Sequence, residues 1–437
     1  MIDQPLDVEP QAFDRARHVG RNIALQFTDR GLRLAIGFLV NVWIVRYLGP
    51  QGLGLLGFAQ SLVALTAVAA EVGLESILVR ELVRRPGDST RLLATAGLMR
   101  LTGSAVAIVL AVLSSLLLRP GDSGVLGLVL VLASATSFQA LEVLASWFQS
   151  RSRFAPFLVA RGAAFLVSAA AKVWCLATDA GIGWLAAAIA LESWLAAVAL
   201  VLAYRLGGGA RGGFRPSRDE ARHLWRSAWP LILNSAALVT AARLDQVLLT
   251  QLRGPSENGL YAAAQRLCEM LYFVPTAVTV ASAPGLIRAH ALDVTRYRAE
   301  LGRLLRRLLW VAVGLAAPIS LLAGPIVHRL FGPEFSISGQ VLAVIVWAAP
   351  AVFLGVGQSN WFIVEGRTAG LLLRSAVAAI GIALLDLLLI PGYGAVGAAI
   401  AVVVAQTLAF VGVNAAQPAT RPLLRLQLEA LLPWRRP

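Results

Sequence analysis

Charge and sulfur are what this chain lacks. Of 437 residues only 14% are Asp, Glu, Lys or Arg, and there are just two cysteines, four histidines and three methionines. Among 38 basic residues a single one, Lys172, is lysine. Cys175 and Cys268 stand alone inside apolar runs, which excludes a disulfide framework and a CxxC metal or redox pair. His18, His223, His290 and His328 are scattered without metal-ligand spacing. No nucleophile elbow, phosphate-binding loop or pair of catalytic carboxylates occurs, so no metal, cofactor or enzymatic reaction is expected. Low charge also excludes an ordinary soluble globule, because 58% of the chain is apolar and its mean hydropathy is +0.72.

What is present is a succession of apolar runs, each long enough to cross a bilayer, which takes roughly 20 residues. They fall at about 25–47, 53–75, 93–118, 124–147, 155–177 and 182–204, then at about 228–252, 260–286, 308–331, 336–363, 368–390 and 394–415. This predicts an all-α integral membrane protein of about twelve transmembrane helices in two six-helix lobes: residues 1–206, a cytoplasmic linker at 207–222, and 223–437. The linker holds Gly207, Gly208, Gly209, Gly212, Gly213 and Pro216, a flexible composition. The first apolar run follows about twenty polar residues, including Asp3, Asp7, Glu9, Arg15 and Arg17, so it reads as a retained anchor and not a cleaved leader.

Arginine distribution sets the orientation. With the N-terminus inside, 26 arginines fall in inner segments and four in outer ones (Arg46, Arg119, Arg253 and Arg329). The positive-inside rule therefore places both termini in the cytoplasm of a multi-pass plasma-membrane protein. The net charge of +14 is spread over these short inner segments and forms no single basic face, so anionic lipid headgroups are the expected partner and nucleic acid is not. The tail from Arg421 to Pro437 alternates leucine with charge and ends on Trp434, which suggests a helix lying at the bilayer surface. Outer loops are too short for an extracytoplasmic domain.

One segment occurs twice. Leu48–Leu62 reads LGPQGLGLLGFAQSL and Arg253–Leu267 reads RGPSENGLYAAAQRL, with seven identities in fifteen positions at an offset of 205. The offset is near half the chain, and each half has an even number of spans, so the repeat is parallel, about an axis along the membrane normal. The copy also disposes of a decoy. Gly52, Gly54 and Gly57 spell GxGxxG, but the second copy has Glu257 and Ala262 at the outer two places, and no soluble βαβ unit surrounds either. What recurs is a Gly-Pro turn and small residues for close helix packing.

Ionisable groups within spans cost a few kcal/mol each unless they face a polar interior. Arg33, Arg100, Arg161 and Arg374 lie one to two turns from the inner ends of four helices, a level that suits an inward-facing vestibule for a diphosphate, although each can also snorkel to the headgroups. Glu192, Lys172, Asp245, Arg243, Arg266 and Glu269 lie deeper. Arg243 and Asp245 are two apart and cannot share a helix face, so one of them is expected to pair with Arg266 or Glu269. The functional reading gives the cations a sugar and phosphate path and gives Glu192, Asp245 or Glu269 a coupling proton or sodium ion. The alternative is a set of charge pairs that fixes lobe packing. Asp386, near the outer end of its span, reads as interfacial.

RYLGPQGLGLLGFAQSL with EVGLESILVREL, then RLDQVLLTQLRGPSENGLYAAAQRL, LFGPEFSISGQVLAVIVWAAP and LLIPGYGAVGAAIAVVVAQ together resemble the oligosaccharide and polysaccharide flippases of the multidrug/oligosaccharidyl-lipid/polysaccharide (MOP) exporter superfamily. The resemblance runs from residue 46 to 406 and rests on the order and spacing of loose motifs. It implies a V-shaped pair of bundles around a cationic cavity, flipping a polyprenyl-diphosphate-linked glycan across a bacterial inner membrane. Glycosyltransferases and a glycan polymerase would be its pathway partners. The alternatives are an exporter of drugs or another lipid precursor, and a membrane glycan polymerase or ligase, which the short outer loops disfavour.

Overall fold

The computed structural model describes residues 9–71, 74–151, 154–208, 215–367 and 369–432, with side chains from 31 onward except 32, 71 and 154–156. The linker centre at 209–214, Arg153 and Trp434 lie outside the described residues. Every regular element among the described residues is helical.

In chain order the helices are α1 (Glu9–Glu71), α2 (Leu74–Arg84), α3 (Ser89–Leu118), α4 (Ser123–Gln139), α5 (Val143–Ser150), α6 (Phe154–Ala177) and α7 (Ile182–Leu206) in the first half. The second half holds α8 (Arg218–Arg253), α9 (Pro255–Leu271), α10 (Phe273–Leu292), α11 (Val294–Leu321), α12 (Ala323–Phe331), α13 (Ser336–Ile345), α14 (Ala349–Val364), α15 (Ala369–Thr407), α16 (Val413–Ala416) and α17 (Arg421–Ala430). Among the described residues ten stretches are long and apolar enough to cross a membrane. Two of them, Arg33–Arg84 with 52 residues and Ala369–Ala416 with 48, would exceed ~70 Å if straight, more than twice the hydrocarbon thickness. Each folds back once, α1 at Gly49 (φ 61°) and α15 at Gly394 (φ 54°). Counting their arms separately gives twelve crossings, six in each half.

The reversal is written in the local sequence. Gly49 (φ 61°, ψ −178°) and its repeat mate Gly254 (φ 94°, ψ 170°) adopt backbone angles closed to L side chains. Each is followed by a proline at the first helical position, where the missing N–H has no partner to lose and the fixed φ suits the helix. Gly332-Pro333 opens a third helix in the same way.

Packing follows the logic of lipid, where leucine gains little by leaving the tails and small residues let helices approach. Helix α3 buries Ala107 and Ala111 while Leu113, Leu116 and Leu117 face outward, and α7 buries Ala186, Ala190 and Ala197 while Val198 and Leu202 face outward. The halves share their cores. Val45 and Leu53 of α1 pack into the core of the second half, and Val247 of α8 into that of the first. The opposite end of α8 inserts Leu224 and Ala228 among Leu78, Leu92 and Trp147.

Helices overrun the apolar runs that announce them. The ninth crossing is expected at about 308–331 but is α11, Val294–Leu321, and Ala323–Phe331 is a separate short helix. Backbone hydrogen bonding carries α11 past its apolar stretch through Arg296–Arg307, whereas hydropathy marks only the part that suits hydrocarbon. The tail forms α17, which docks on α11 through buried Leu423 and Ala430, while Trp310 donates to the Ala430 carbonyl at 3.1 Å.

Candidate functional site: a charged cavity between the halves

The two copies of the repeat face each other. A Cβ built on Gly54 would lie 1.7 Å from the carbonyl oxygen of Pro255, and one built on Gly259 would lie 1.8 Å from that of Pro50. Asn258 also donates to the Gly54 carbonyl at 2.9 Å. Backbone therefore meets backbone at the Gly-Pro end, and larger residues cannot enter. Further ties close the same end. Arg46 of the first half donates to the Leu330 and Arg329 carbonyls at 2.6 and 2.5 Å, capping the C-terminus of α12, and Glu257 accepts from the Ala395 N–H at 2.9 Å.

Deeper along the same seam three adjoining recesses of about 380, 250 and 340 Å³ share Asn41 and Arg266. Their walls come from both arms of α1, from α6 and α7, and from α8 and α9. The first half contributes Arg33, Lys172 and Glu192. Glu192 bridges the two cations, at 3.9 Å from Arg33 and 3.6 Å from Lys172, and the Arg33 guanidinium also lies 5.3 Å from the Phe165 ring centre. The second half contributes Arg243, Arg266 and Glu269, with Arg243 paired to Glu269 at 3.2 Å. Arg266 reaches across the seam and donates to two neutral oxygens, Asn41 Oδ1 at 3.2 Å and Gln60 Oε1 at 3.4 Å. Among the described residues the recesses are lined by four cations and two carboxylates.

The amides of this seam carry the repeat's symmetry. Adding 205 to Asn41 gives Gln246, and adding it to Ser61 gives Arg266. The Arg266–Asn41 hydrogen bond thus has a mate in Ser61 donating to Gln246 at 3.0 Å. Gln246 in turn donates to Gln265, the copy of Gln60, at 2.5 Å. Asn41 and Gln246 carry no charge and passed unnoticed in the sequence. The repeat offset was the signal that could have found them.

Other expected site residues lie elsewhere. Arg33, Arg100, Arg161 and Arg374 do not line one vestibule, because their helices turn different faces to it. Only Arg33 enters the central cavity. Arg100 lines a second pocket, and Arg161 pairs with Glu142 at 3.8 Å beside that pocket. Arg374 is sequestered inside the second half at 1% exposure, where it donates to the Gly370 carbonyl at 2.7 Å and to Asn414 and stacks 4.1 Å from the Phe362 ring centre. Asn414 joins Gln358 and Gln427, so this arginine belongs to a network closed by α17.

Asp245 is likewise outside the cavity. Two residues beyond Arg243, it points the other way and is fully buried, accepting from the Tyr261 hydroxyl and from the Gln246 N–H at 2.7 Å. Asp386, expected at the interface, is also fully buried within electrostatic reach of Asp245. Its two oxygens have no hydrogen-bond partner among the described residues. The misplacement comes from the span's end. Helix α15 continues through Pro391 to the Gly394 bend, which puts Asp386 eight residues, ~12 Å, inside.

At the arginine-rich end α8 is strapped to the first half. Arg85 holds Glu81 at 3.0 Å and Glu220 at 2.8 Å, and Arg91 donates to Ser217 at 2.8 Å. The Glu220 carboxylate, ahead of Glu81, pushes the Arg85 guanidinium further above its ordinary pKa.

A duplicated six-crossing bundle whose seam is pinched at one end and holds a charged cavity further along has the fold of solved MOP-superfamily transporters. The solved structures agree. A lipid II flippase, MurJ, in an inward closed conformation matches with a TM-score of 0.70 at 14% identity, covering 94% of this chain and 91% of that one. An inward-facing MATE multidrug-resistance transporter matches at 0.65 and 15%, over 91% and 94%. A MOP superfamily transporter from Pyrococcus furiosus matches at 0.59 and 15%, over 95% and 96%. No curated protein sequence matches the chain. The family model for polysaccharide biosynthesis proteins matches residues 19–290, and the chain belongs to that family. The fold is the one those lipid II flippase and MATE structures have.

Proposed function

We propose that this protein flips a polyprenyl-diphosphate-linked oligosaccharide from the cytoplasmic to the outer leaflet of the bacterial plasma membrane by alternating access. The observation that carries the reading is Arg266 in the central cavity, held by neutral amides and free of a contact carboxylate among the described residues, with Arg243, Lys172 and Arg33 lining the same recesses. A diphosphate esterified at both ends bears two negative charges, which a cation-rich wall attracts, and a planar guanidinium binds phosphate oxygens in bidentate fashion. The lobes are 1–206 and 223–437, joined by the 207–222 linker, with both termini cytoplasmic. The Gly-Pro end is then the outer end, closed in this conformation. A neutral-walled or acidic cavity would suit a lipophilic cation better, so the excess of cations favours the flippase over a drug exporter.

Coupling to an ion is assigned to Asp245 and Asp386. Two buried carboxyl groups within electrostatic reach of one another and of Tyr261, one with neither oxygen hydrogen-bonded among the described residues, are costly as a dianion and are relieved by one proton or sodium ion. The test is reconstitution. Vesicles holding the protein should move a short-chain prenyl-diphosphate-linked glycan between leaflets, and cells lacking it should strand the lipid-linked glycan on the inner leaflet. A normal surface polymer in such cells would sink the assignment.

A further inference from the structure

A second cavity, of about 480 Å³, opens between α8 and the arginine-rich end of the first half. Glu75, Arg100, Gln139, Glu142, Asn234 and Ser235 supply its polar wall. Its chemistry differs from that of the central cavity. Glu142 is offset by Arg161 at 3.8 Å, Glu75 accepts from Gln149 at 2.8 Å, and Arg100 donates weakly to the Gln139 carbonyl at 3.5 Å while its buried Nε has no partner. With Arg161 counted, which pairs with Glu142 from outside the wall, two carboxylates and two guanidiniums cancel. What remains is a dense set of neutral amides and hydroxyls with charged groups among them, which repels neither sign and selects neither. A ligand that fits such a wall offers many uncharged donors and acceptors, and its volume lies in the range of small-molecule sites.

Placement links it to the central cations. On α8, Ser235 precedes Arg243 by eight residues, or ~12 Å, and on α1, Ala70 follows Ala64 by six, or ~9 Å. A chain anchored by its diphosphate at Arg243 and Arg266 and running along the α1–α8 wall reaches this pocket within its first few units.

We infer that this pocket is the saccharide subsite of the carrier and that it takes uncharged sugars. The inference rests on the proposal that a lipid-linked glycan is the cargo. Arg100 and Glu75 grip hydroxyls from opposite sides, and Gln139 and Asn234 read the pattern of hydroxyl and acetamido groups between them.

The experiment uses the full chain in lipid nanodiscs and three neutral trisaccharides: the N-acetylglucosamine trimer, maltotriose and mannotriose. Farnesyl diphosphate serves as the diphosphate probe and tetraphenylphosphonium as a lipophilic cation. At least one trisaccharide is expected to bind, and Gln139→Leu and Asn234→Leu each to weaken it tenfold or more. Farnesyl diphosphate binding should stay within twofold in both, which also reports that they fold. Glu75→Gln, the gentler change, should weaken the sugar severalfold, and Arg266→Ala should weaken farnesyl diphosphate but not the free sugar. The inference is overturned if none of the three sugars binds, if the pocket variants leave sugar binding unchanged, or if tetraphenylphosphonium displaces the sugar. Intact diphosphate binding with any of those results removes only the pocket assignment. A wild type that ignores farnesyl diphosphate removes the flippase reading itself.

Discussion

Gly54 and Gly259 are the same position of a duplicated segment, and each has the place of its missing side chain filled by the carbonyl of the proline that opens the other's helix. The contact is reciprocal, as in a two-fold dimer, but it is made within one chain. It holds the Gly-Pro ends of the halves together at backbone distance, and the symmetry continues along the seam to the Ser61–Gln246 and Asn41–Arg266 pairs. Divergence at one of those places, serine in one copy and arginine in the other, gives the cavity its sign.

Gly54→Ala or Gly259→Ala should force the outer ends apart, since no methyl group fits 1.7 to 1.8 Å from an oxygen. An overpacking cost of ~1–3 kcal/mol is expected. A cysteine placed at Gln60 should become reactive to an impermeant thiol reagent from outside, in a background with Cys175 and Cys268 replaced. Gly314→Ala, inside α11 where nothing lies within 4 Å, is the control and should leave labelling unchanged without lowering the melting temperature.

Arg266→Ala should lower transport per folded molecule at least tenfold, which corresponds to ~1.4 kcal/mol of lost binding. Abundance should stay within twofold, because its partners Asn41 and Gln60 border a cavity where water can replace the guanidinium. Arg266→Lys should recover part of the rate, since it restores charge without the planar fork. Equal losses of transport and abundance would assign Arg266 to packing.

Asp386→Asn should leave the protein folded, since the substitution removes a buried charge that has no hydrogen-bond partner among the described residues. Transport in vesicles should then lose its response to an imposed proton or sodium gradient. Asp245→Asn should do the same with a larger fall in stability, because it also disturbs the Tyr261 and Gln246 hydrogen bonds. A gradient response that survives both changes would remove the coupling role.

Gln427→Leu should destabilise the second half by ~1–3 kcal/mol, the cost of leaving buried polar partners unsatisfied. It breaks contacts to Asn414 and Gln358 and, through Asn414, loosens Arg374. A lower melting temperature with unchanged transport per folded molecule is the expected outcome, and a selective transport defect would return Arg374 to the transport path.

The spans and the repeat were legible because their causes are local. A run of apolar residues, a Gly-Pro pair and an identity at fixed offset are properties of adjacent residues. The Arg243–Glu269 pair was half legible, because two residues apart on a helix already forbids a shared face for Arg243 and Asp245. Arg374 and Asp386 were misplaced for a shared reason: depth along a helix was estimated from composition, and the helix face was not determined at all.

The sequence by itself determined that the chain lives in a bilayer, crosses it about twelve times and repeats its Gly-Pro turn, since these follow from hydropathy and from backbone angles open to glycine alone. Which charges meet was decided only by tertiary structure. Helix rotation is set by small-residue contacts such as Gly54 against Pro255, hundreds of residues apart in sequence, and a turn of about 200° separates Arg243 in the cavity from Asp245 in the core.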